Sequence, residues 1–369
     1  MKKILTVLGP ISPDELGVTM MHEHVVVDLT CNFRTPEEVG LRSLRHRPVT
    51  ADMQALLRRR PFSSTLDNVI LDEEDVAIEE LEIYRRAGGR AIVDCTSLGI
   101  GRDPKTLYRV AQATGLNIVM GGGCYVEAAH LDWVQNLTIG ELAKRFALDT
   151  LVGVDDTGIR SGIIGEIGTS GISKGSTQRD GDVTKAEEKV LRAAGRAAVR
   201  TGVAVSVHVD SQGHGAFRVL DILEDEGLPP ERIILGHMDL VPELDYHREV
   251  ARRGAYVQYD CLGREYYSEA TNRPWGNDEW RIASIATLIA EGFGAQLLLS
   301  QDIALKMDLV RYGGIGYAYL IRELLPMFVA SGVSQDDLVQ MLVRNPQRVL
   351  SIEWTDEFEQ HVSVLQRPS

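Results

Sequence analysis

Val18-Thr19-Met20-Met21-His22-Glu23-His24 is a short apolar, β-prone run that ends in two histidines separated by one glutamate. In a strand, residues two apart point to the same side, so both imidazoles face the interior of a sheet or barrel while Glu23 faces away from it. An open, doubly wound sheet normally follows its first strand with a glycine-rich phosphate loop. Here the strand ends in ligand-type side chains instead.

Working outward from this run (Val18–Val27 in full), seven more of the same kind follow: Ala91–Cys95, Asn117–Met120, Gly162–Ile167, Val203–Val209, Arg232–Leu235, Tyr256–Tyr259 and Gln296–Leu299. Helical stretches lie between them, among them Glu73–Arg86, Thr184–Arg200, Gly215–Glu226, Leu244–Arg253 and Asp278–Glu291. Thr184 with Glu187 reads as a capping box, Asp103 before Pro104 as a cap, and Gly202, Gly227 and Gly254 as helix stops. Eight runs alternating with helices predict a parallel sheet, and eight strands close a (β/α)8 TIM barrel. Residues 1–369 show no short repeat and no low-complexity linker, so the chain is expected to form a single domain.

Two stretches depart from the repeat. Residues 31–72 form a long insertion after the first strand, with Arg42, Arg45, Arg47 and Arg58-Arg59-Arg60; residues 263–277 follow the seventh strand and carry Tyr266, Tyr267 and Trp275. Loops at the carboxyl ends of barrel strands lie on the active-site face, so both are placed to cover a substrate. The plainer alternatives are a solvated face for the arginines and a dimer contact for the aromatics.

The composition narrows the class. The chain has 369 residues, 44% hydrophobic and 25% charged, with a formal net charge of −14. That charge argues against nucleic acid or an anionic membrane as the main partner. Cys31, Cys95, Cys124 and Cys261 lie far apart with no CxxC, which points away from a disulfide framework and towards a reducing cytoplasm. The opening apolar run breaks at Gly9-Pro10 and meets acidic residues at once, so no secretory leader is expected, and no segment is apolar for long enough to span a bilayer.

Three more runs end in donors: His208 after Val203–Val207, His237 after Ile233–Gly236, and Asp302 after Leu297–Gln301. Each alone reads equally well as a satisfied buried polar residue or a cap. Together with His22 and His24 they supply four histidines and an aspartate at the ends of strands 1, 5, 6 and 8, a set suited to divalent metal.

With that pattern the chain resembles the phosphotriesterase family of the amidohydrolase superfamily, and within it the phosphotriesterase-related proteins. The resemblance runs through TVLGPISPDELGVTMMHEH (6–24), GRDPKTL (101–107), GIIGEIG (162–168), YDCLGRE (259–265), RYGGIGYAYL (311–320) and RNPQRVL (344–350). It implies a binuclear hydrolase. Glu166 would take the place of the bridging carboxylate on strand 4, a place Lys174 is too far downstream to fill. His22, His24, Glu166 and Asp302 would hold the buried metal, and Glu166, His208 and His237 the exposed one. The metals would be two divalent ions, zinc first, with manganese, cobalt or iron as alternatives. A hydroxide between them would attack an amide, ester or lactone carbonyl, with Asp302 as catalytic proton acceptor. The phosphotriesterase-related branch, whose animal members resemble N-acyl amino-sulfonate amidases, inclines the reading towards an amide; organophosphate hydrolysis and metal-containing binding without turnover are the alternatives. Relatives are commonly homodimers acting on small molecules.

Tyr125 and Arg264 are the substrate-contact candidates. Tyr125 matches a tyrosine that lactone-hydrolysing relatives place over the metals. Relatives with an arginine in the strand 7 loop carry it three positions before Arg264, where this chain has Cys261. Asp210, Asp239 and Asp260 are candidates to support the histidines from behind. No chemistry is assigned to His46, His130, His214, His247 or His361.

Overall fold

The computed structural model describes residues 1–36, 38–178, 181–210, 214–268, 272–356 and 358–359. His361, Glu37 in the first insertion and residues 269–271 in the second lie outside them. All eight apolar runs are strands: β1 (Thr19–Glu23), β2 (Ala91–Asp94), β3 (Asn117–Met120), β4 (Ile164–Gly168), β5 (Val205–His208), β6 (Ile233–Gly236), β7 (Tyr256–Tyr259) and β8 (Leu297–Leu299). They pair in parallel as β1-β2-β3 and as β4-β5-β6-β7-β8.

Single backbone bonds join the two halves into a (β/α)8 barrel. On one seam Gly162 N–H donates to Met120 O (2.9 Å) and Gly165 N–H to Gly122 O (2.7 Å). On the other, Asp302 N–H donates to His22 O and His24 N–H to Ile303 O, both at 3.1 Å. The first seam explains part of the GIIGEIG motif. A Cβ on Gly121 would come within 2.1 Å of Gly165 O, so the β3 and β4 chains approach too closely for side chains there.

Helices α1 (Glu74–Arg86), α2 (Pro104–Thr114), α3 (Ile139–Leu151), α4 (Lys185–Thr201), α5 (Gly215–Asp225), α6 (Leu244–Arg252) and α7 (Asp278–Ala290) follow strands β1 to β7 in turn. After β8 come Leu325–Ala330, Gln335–Val339 and Asn345–Leu350. The predicted ends hold: Thr184 and Glu187 form a capping box on α4, Asp103 accepts from Lys105 and Thr106 N–H on α2, and Gly202 closes α4 in the left-handed conformation. Their apolar faces make one large core with the outer face of the sheet. A second cluster, including Met21, Val93, Val119, Ile163, Ile234 and Leu298, fills the barrel below the strand ends. The register of β1 against β2 shifts between Met20 and Glu23, which breaks strict alternation just ahead of the two histidines. No helix among the described residues is long and apolar enough to cross a membrane.

Candidate metal centre

The structure brings His22, His24, Glu166, His208, His237 and Asp302 together at the carboxyl ends of β1, β4, β5, β6 and β8. Glu166 lies in the middle. Its Oε2 is 3.3 Å from His22 Nε2, 3.3 Å from His208 Nδ1 and 3.6 Å from His237 Nε2, while its Oε1 is 3.5 Å from His24 Nε2. Asp302 Oδ1 is 3.3 Å from His24 Nε2 and 3.8 Å from His22 Nε2. Among the compact donor groups here are His22–His24–Asp302 and Glu166–His208–His237. His237 and Asp302 hold positive φ (58° and 52°), an uncommon conformation for residues with side chains that clusters at functional sites.

In His22, His24 and His237 the inward nitrogen is aimed by a bond to the other ring nitrogen. Asp260 reaches two histidines at once, with Oδ1 2.9 Å from His237 Nδ1 and Oδ2 3.1 Å from His22 Nδ1. Gln258 Nε2 adds contacts to His22 Nδ1 (3.0 Å) and Asp260 Oδ2 (2.8 Å), and Thr96 Oγ1 meets His24 Nδ1 at 2.9 Å. A carboxylate behind a ligating histidine fixes its orientation and raises its basicity. Of the three aspartates singled out, Asp260 has this role. Asp239 instead accepts from Cys261 N–H (3.1 Å) and Arg281 Nε (2.8 Å), and Asp210 lines the cavity above.

Glu23 turns away from the donors yet is fully buried. It accepts from Ser300 Oγ (2.7 Å) and from the N–H groups of Gln301 and Ile303 (both 2.8 Å), the residues on either side of Asp302. Burial pushes its carboxyl up to about 7. The middle residue of the HEH run therefore clamps the segment that carries Asp302.

The residues suit a cation. His22 Nε2 and Glu166 Oε2 are buried without a hydrogen-bond partner, although they face the centre of the cluster. Orphaned polar atoms in a dry interior are costly, and imidazole with carboxylate is the donor set that borderline divalent ions take. Burial alone would raise the Glu166 carboxyl; His22, His208 and His237 outweigh it and hold the group well below its usual range. His208 is lowered by burial and by His237, which favours the neutral, ligating form.

Above the donors opens a cavity of about 1300 Å³. Both candidate contacts lie on it. The Tyr125 hydroxyl is 3.3 Å from His208 Nδ1. Arg264 is buried and forms an ion pair with Asp302 Oδ2, with its guanidinium over the Trp275 ring at 4.9 Å. Although it sits three positions after the arginine of other relatives, its head reaches the centre. Lys174 bonds His130 O at 2.9 Å, away from the donors. The two insertions meet over the cavity, where Phe62 and Trp275 stack at 6.3 Å and 24° and Arg58 O accepts from Tyr267 N–H. Sequence reasoning passed over Gln258, Thr96 and Arg281. Gln258 alone left a signal, an amide inside an otherwise apolar strand. His214, given no role, stands on the cavity wall beside Glu243 (2.9 Å).

A parallel barrel whose strand ends converge four imidazoles and two carboxylates beneath an open cavity is the build of a metal-dependent barrel hydrolase. Residues 2–350 match the phosphotriesterase family, and the chain belongs to that family and is a hydrolase. It is 33% identical to N-acetyltaurine hydrolase from Dictyostelium discoideum, over 95% of this chain and 98% of that one. Among solved structures it resembles a resiniferatoxin-binding protein from Rhodobacter sphaeroides (TM-score 0.90, 36% identity, 94% of each chain). The phosphotriesterase homology protein from Escherichia coli, complexed with phosphate in its active site, matches at TM-score 0.73 and 30% identity over 91% of this chain and 99% of that one.

Proposed function

We propose that the protein hydrolyses a carboxylic amide, with esters and lactones as related substrates, at a binuclear centre held by His22, His24, Glu166, His208, His237 and Asp302. The observation that carries this reading is the pair of orphaned atoms, His22 Nε2 and Glu166 Oε2, facing each other at 3.3 Å between two donor groups. Two divalent ions held by these residues would supply a water whose pKa is lowered to about 7 and a Lewis acid for a carbonyl oxygen. The protein's own groups do the rest. Asp302 lines the cavity, with Oδ1 beside His24 and His22, and is placed to hold the proton lost by the attacking water and return it to the leaving amine. Arg264 keeps the other oxygen, Oδ2, engaged and so fixes the carboxylate's orientation. Tyr125, held at His208, presents its phenol to the substrate side, and burial keeps that phenol well above its ordinary pKa and therefore a hydrogen-bond donor. The Dictyostelium relative supports an amide as the bond class.

One observation favours a second reading, binding without turnover: the similarity to a resiniferatoxin-binding protein. Metal analysis combined with a screen of amides, lactones and phosphotriesters separates the two. Expected are two equivalents of divalent metal, amide cleavage that chelation abolishes, and a lower metal content in Glu166→Gln. A single equivalent that Glu166→Gln leaves unchanged would remove the bridging role, and metal without any turnover would favour binding.

A further inference from the structure

We infer that the substrate is an anionic amphiphile, an acyl compound with a large apolar acyl group and a negatively charged end. This rests on the hydrolase reading of the same centre and names the class of molecule the cavity takes.

Size is the first observation. At about 1300 Å³ the cavity exceeds the ~300–1000 Å³ usual for small-molecule sites. An acetyl group with a short tail would leave most of it to water. The second is the lining contributed by the insertions. Phe33, Phe62 and Trp275 face the cavity only partly buried, although the chain could have covered them. Apolar wall left wet inside a cavity gains free energy when an apolar ligand covers it.

The third observation is charge. Arg34 and Arg273 line the same cavity, are exposed, and have no carboxylate partner among the described residues. Three other arginines of the first insertion are engaged: Arg47 with Asp52 (3.6 Å), Arg60 with Glu38 (2.6 Å), Arg45 over the Phe33 ring (5.0 Å). In a chain of net charge −14, two unpaired guanidinium groups at one cavity are a directed feature. Both adjoin the aromatic wall. Arg34 N–H donates to Phe62 O at 2.8 Å, and Arg273 lies two residues before Trp275. Among the described residues, the acids on the cavity outside the donor cluster are Glu243, paired with His214, and Asp210, also engaged. Their loops follow β6 and β5. A ligand held at the donors therefore finds apolar wall at Phe62 and Trp275 for an acyl chain on one side of its scissile bond and positive charge at Arg34 and Arg273 for an anionic group on the other. Its hydrolysis breaks the acyl C–N bond: water gives its hydroxyl to the acyl carbon and its proton to the departing amine.

The test uses the full-length, metal-loaded protein and three probes kept below micelle-forming concentrations: acetylglycine, dodecanoylglycine and the uncharged N-butyldodecanamide. Binding is read by calorimetry and cleavage by amine release. Dodecanoylglycine is expected to bind at least about tenfold more tightly than either of the others, since buried methylenes and charge-assisted hydrogen bonds each contribute on that scale. Arg34→Gln combined with Arg273→Gln removes the preference for charge and keeps that for chain length; Phe62→Ala weakens the preference for chain length. Equal binding of the three probes, or a preference for acetylglycine, overturns the inference. Cleavage of acetylglycine with no gain from the long chain does the same while leaving the amidase reading intact. Tight binding of dodecanoylglycine without cleavage of any amide overturns that reading and supports the ligand class.

Discussion

Below the cavity, three of the four histidines are steered by a buried contact on the nitrogen turned away from the centre: Asp260 on His22 and His237, Thr96 on His24. Above it, Phe33, Phe62 and Trp275 are held by ring stacking and a few backbone bonds, and they remain partly exposed. The floor is over-determined because donor atoms must converge within a few ångströms, and one misplaced imidazole spoils the set. The roof needs only shape and charge, which loops supply with less constraint. Two buried arginines join them: Arg264 pairs with Asp302 and lies over the Trp275 ring, and Arg281 donates to Asp239 Oδ2 (2.8 Å) under the floor and to Trp275 O (2.8 Å) in the roof. If floor and roof are physically distinct, damage to the floor strikes chemistry and damage to the roof strikes binding.

The largest expected effect is in the floor. Asp302→Asn keeps an oxygen for the donor group and cannot accept a proton, so kcat should fall by ~10²–10⁴-fold while KM moves little. Metal content must be measured in the same preparation, because loss of a carboxylate charge also loosens a cation. A fully metallated variant with wild-type turnover would reduce Asp302 to a ligand. A KM effect as large as the kcat effect would erase the distinction between the two regions.

The same contrast explains what could be read in advance. The floor is legible because each donor closes an apolar β run, so His22, His24, His208, His237 and Asp302 stand out against their own neighbours. Glu166 is visible only through the surrounding glycines and the family resemblance, since a lone glutamate in a strand has other readings. Asp260 could not be told from Asp210 or Asp239, because all three sit at strand ends and only packing decides which meets a ring nitrogen. The roof was hardly legible. Phe62 and Trp275 lie far apart in sequence, and their stacking depends on where two irregular loops cross. The insertion's arginines stand out between Arg42 and Arg60, yet Arg34, which lines the cavity, lies before that run.

Behind the floor, His247 offers a pH test of its rigidity. It is buried on α6, with Nδ1 2.7 Å from the Tyr259 hydroxyl and Nε2 2.9 Å from Val241 O. Burial lowers its pKa to about 4, against ~6.5 for an unfolded histidine. A depressed histidine is neutral when folded, so the unfolded chain binds the extra proton below pH ~6.5. Stability should then be lost as pH falls from about 6.5 to about 4 and level off below, at a slope approaching ~1.4 kcal/mol per pH unit from this residue. Over that window the folding equilibrium shifts on the order of 10²-fold. Urea titrations of wild type and His247→Gln at several pH values isolate the contribution, because the variant should lack this component of the slope. Identical slopes would mean that His247 is not held neutral behind β7.

The smallest effect should come from the tether of the roof. Lys306 lies four residues after Asp302, is buried, and reaches Asp67 Oδ1 (2.8 Å) and Glu73 Oε1 (2.7 Å) at the end of the first insertion. Both carboxylates are partly open to water, at 31% and 43% exposure, so screening limits what the cluster contributes. Lys306→Met keeps a long apolar side chain and removes the ammonium, which lies 5.9 Å from the Tyr312 ring centre, and should cost about 1 kcal/mol or less in global stability. Locally the consequence is larger in kind. The insertion loses a charged anchor to the β8 loop while its contacts through Phe62 and Asn68 remain. Limited proteolysis should therefore nick residues 31–72 several-fold faster, and KM for a long-chain substrate should rise by a small factor. Turnover at saturation and metal content should stay at wild-type values, because Glu23, not Lys306, clamps the peptide groups beside Asp302. If Lys306→Met instead lowers kcat or releases metal, the roof tether also positions Asp302, and the boundary between floor and roof lies further out than the hydrogen bonds place it.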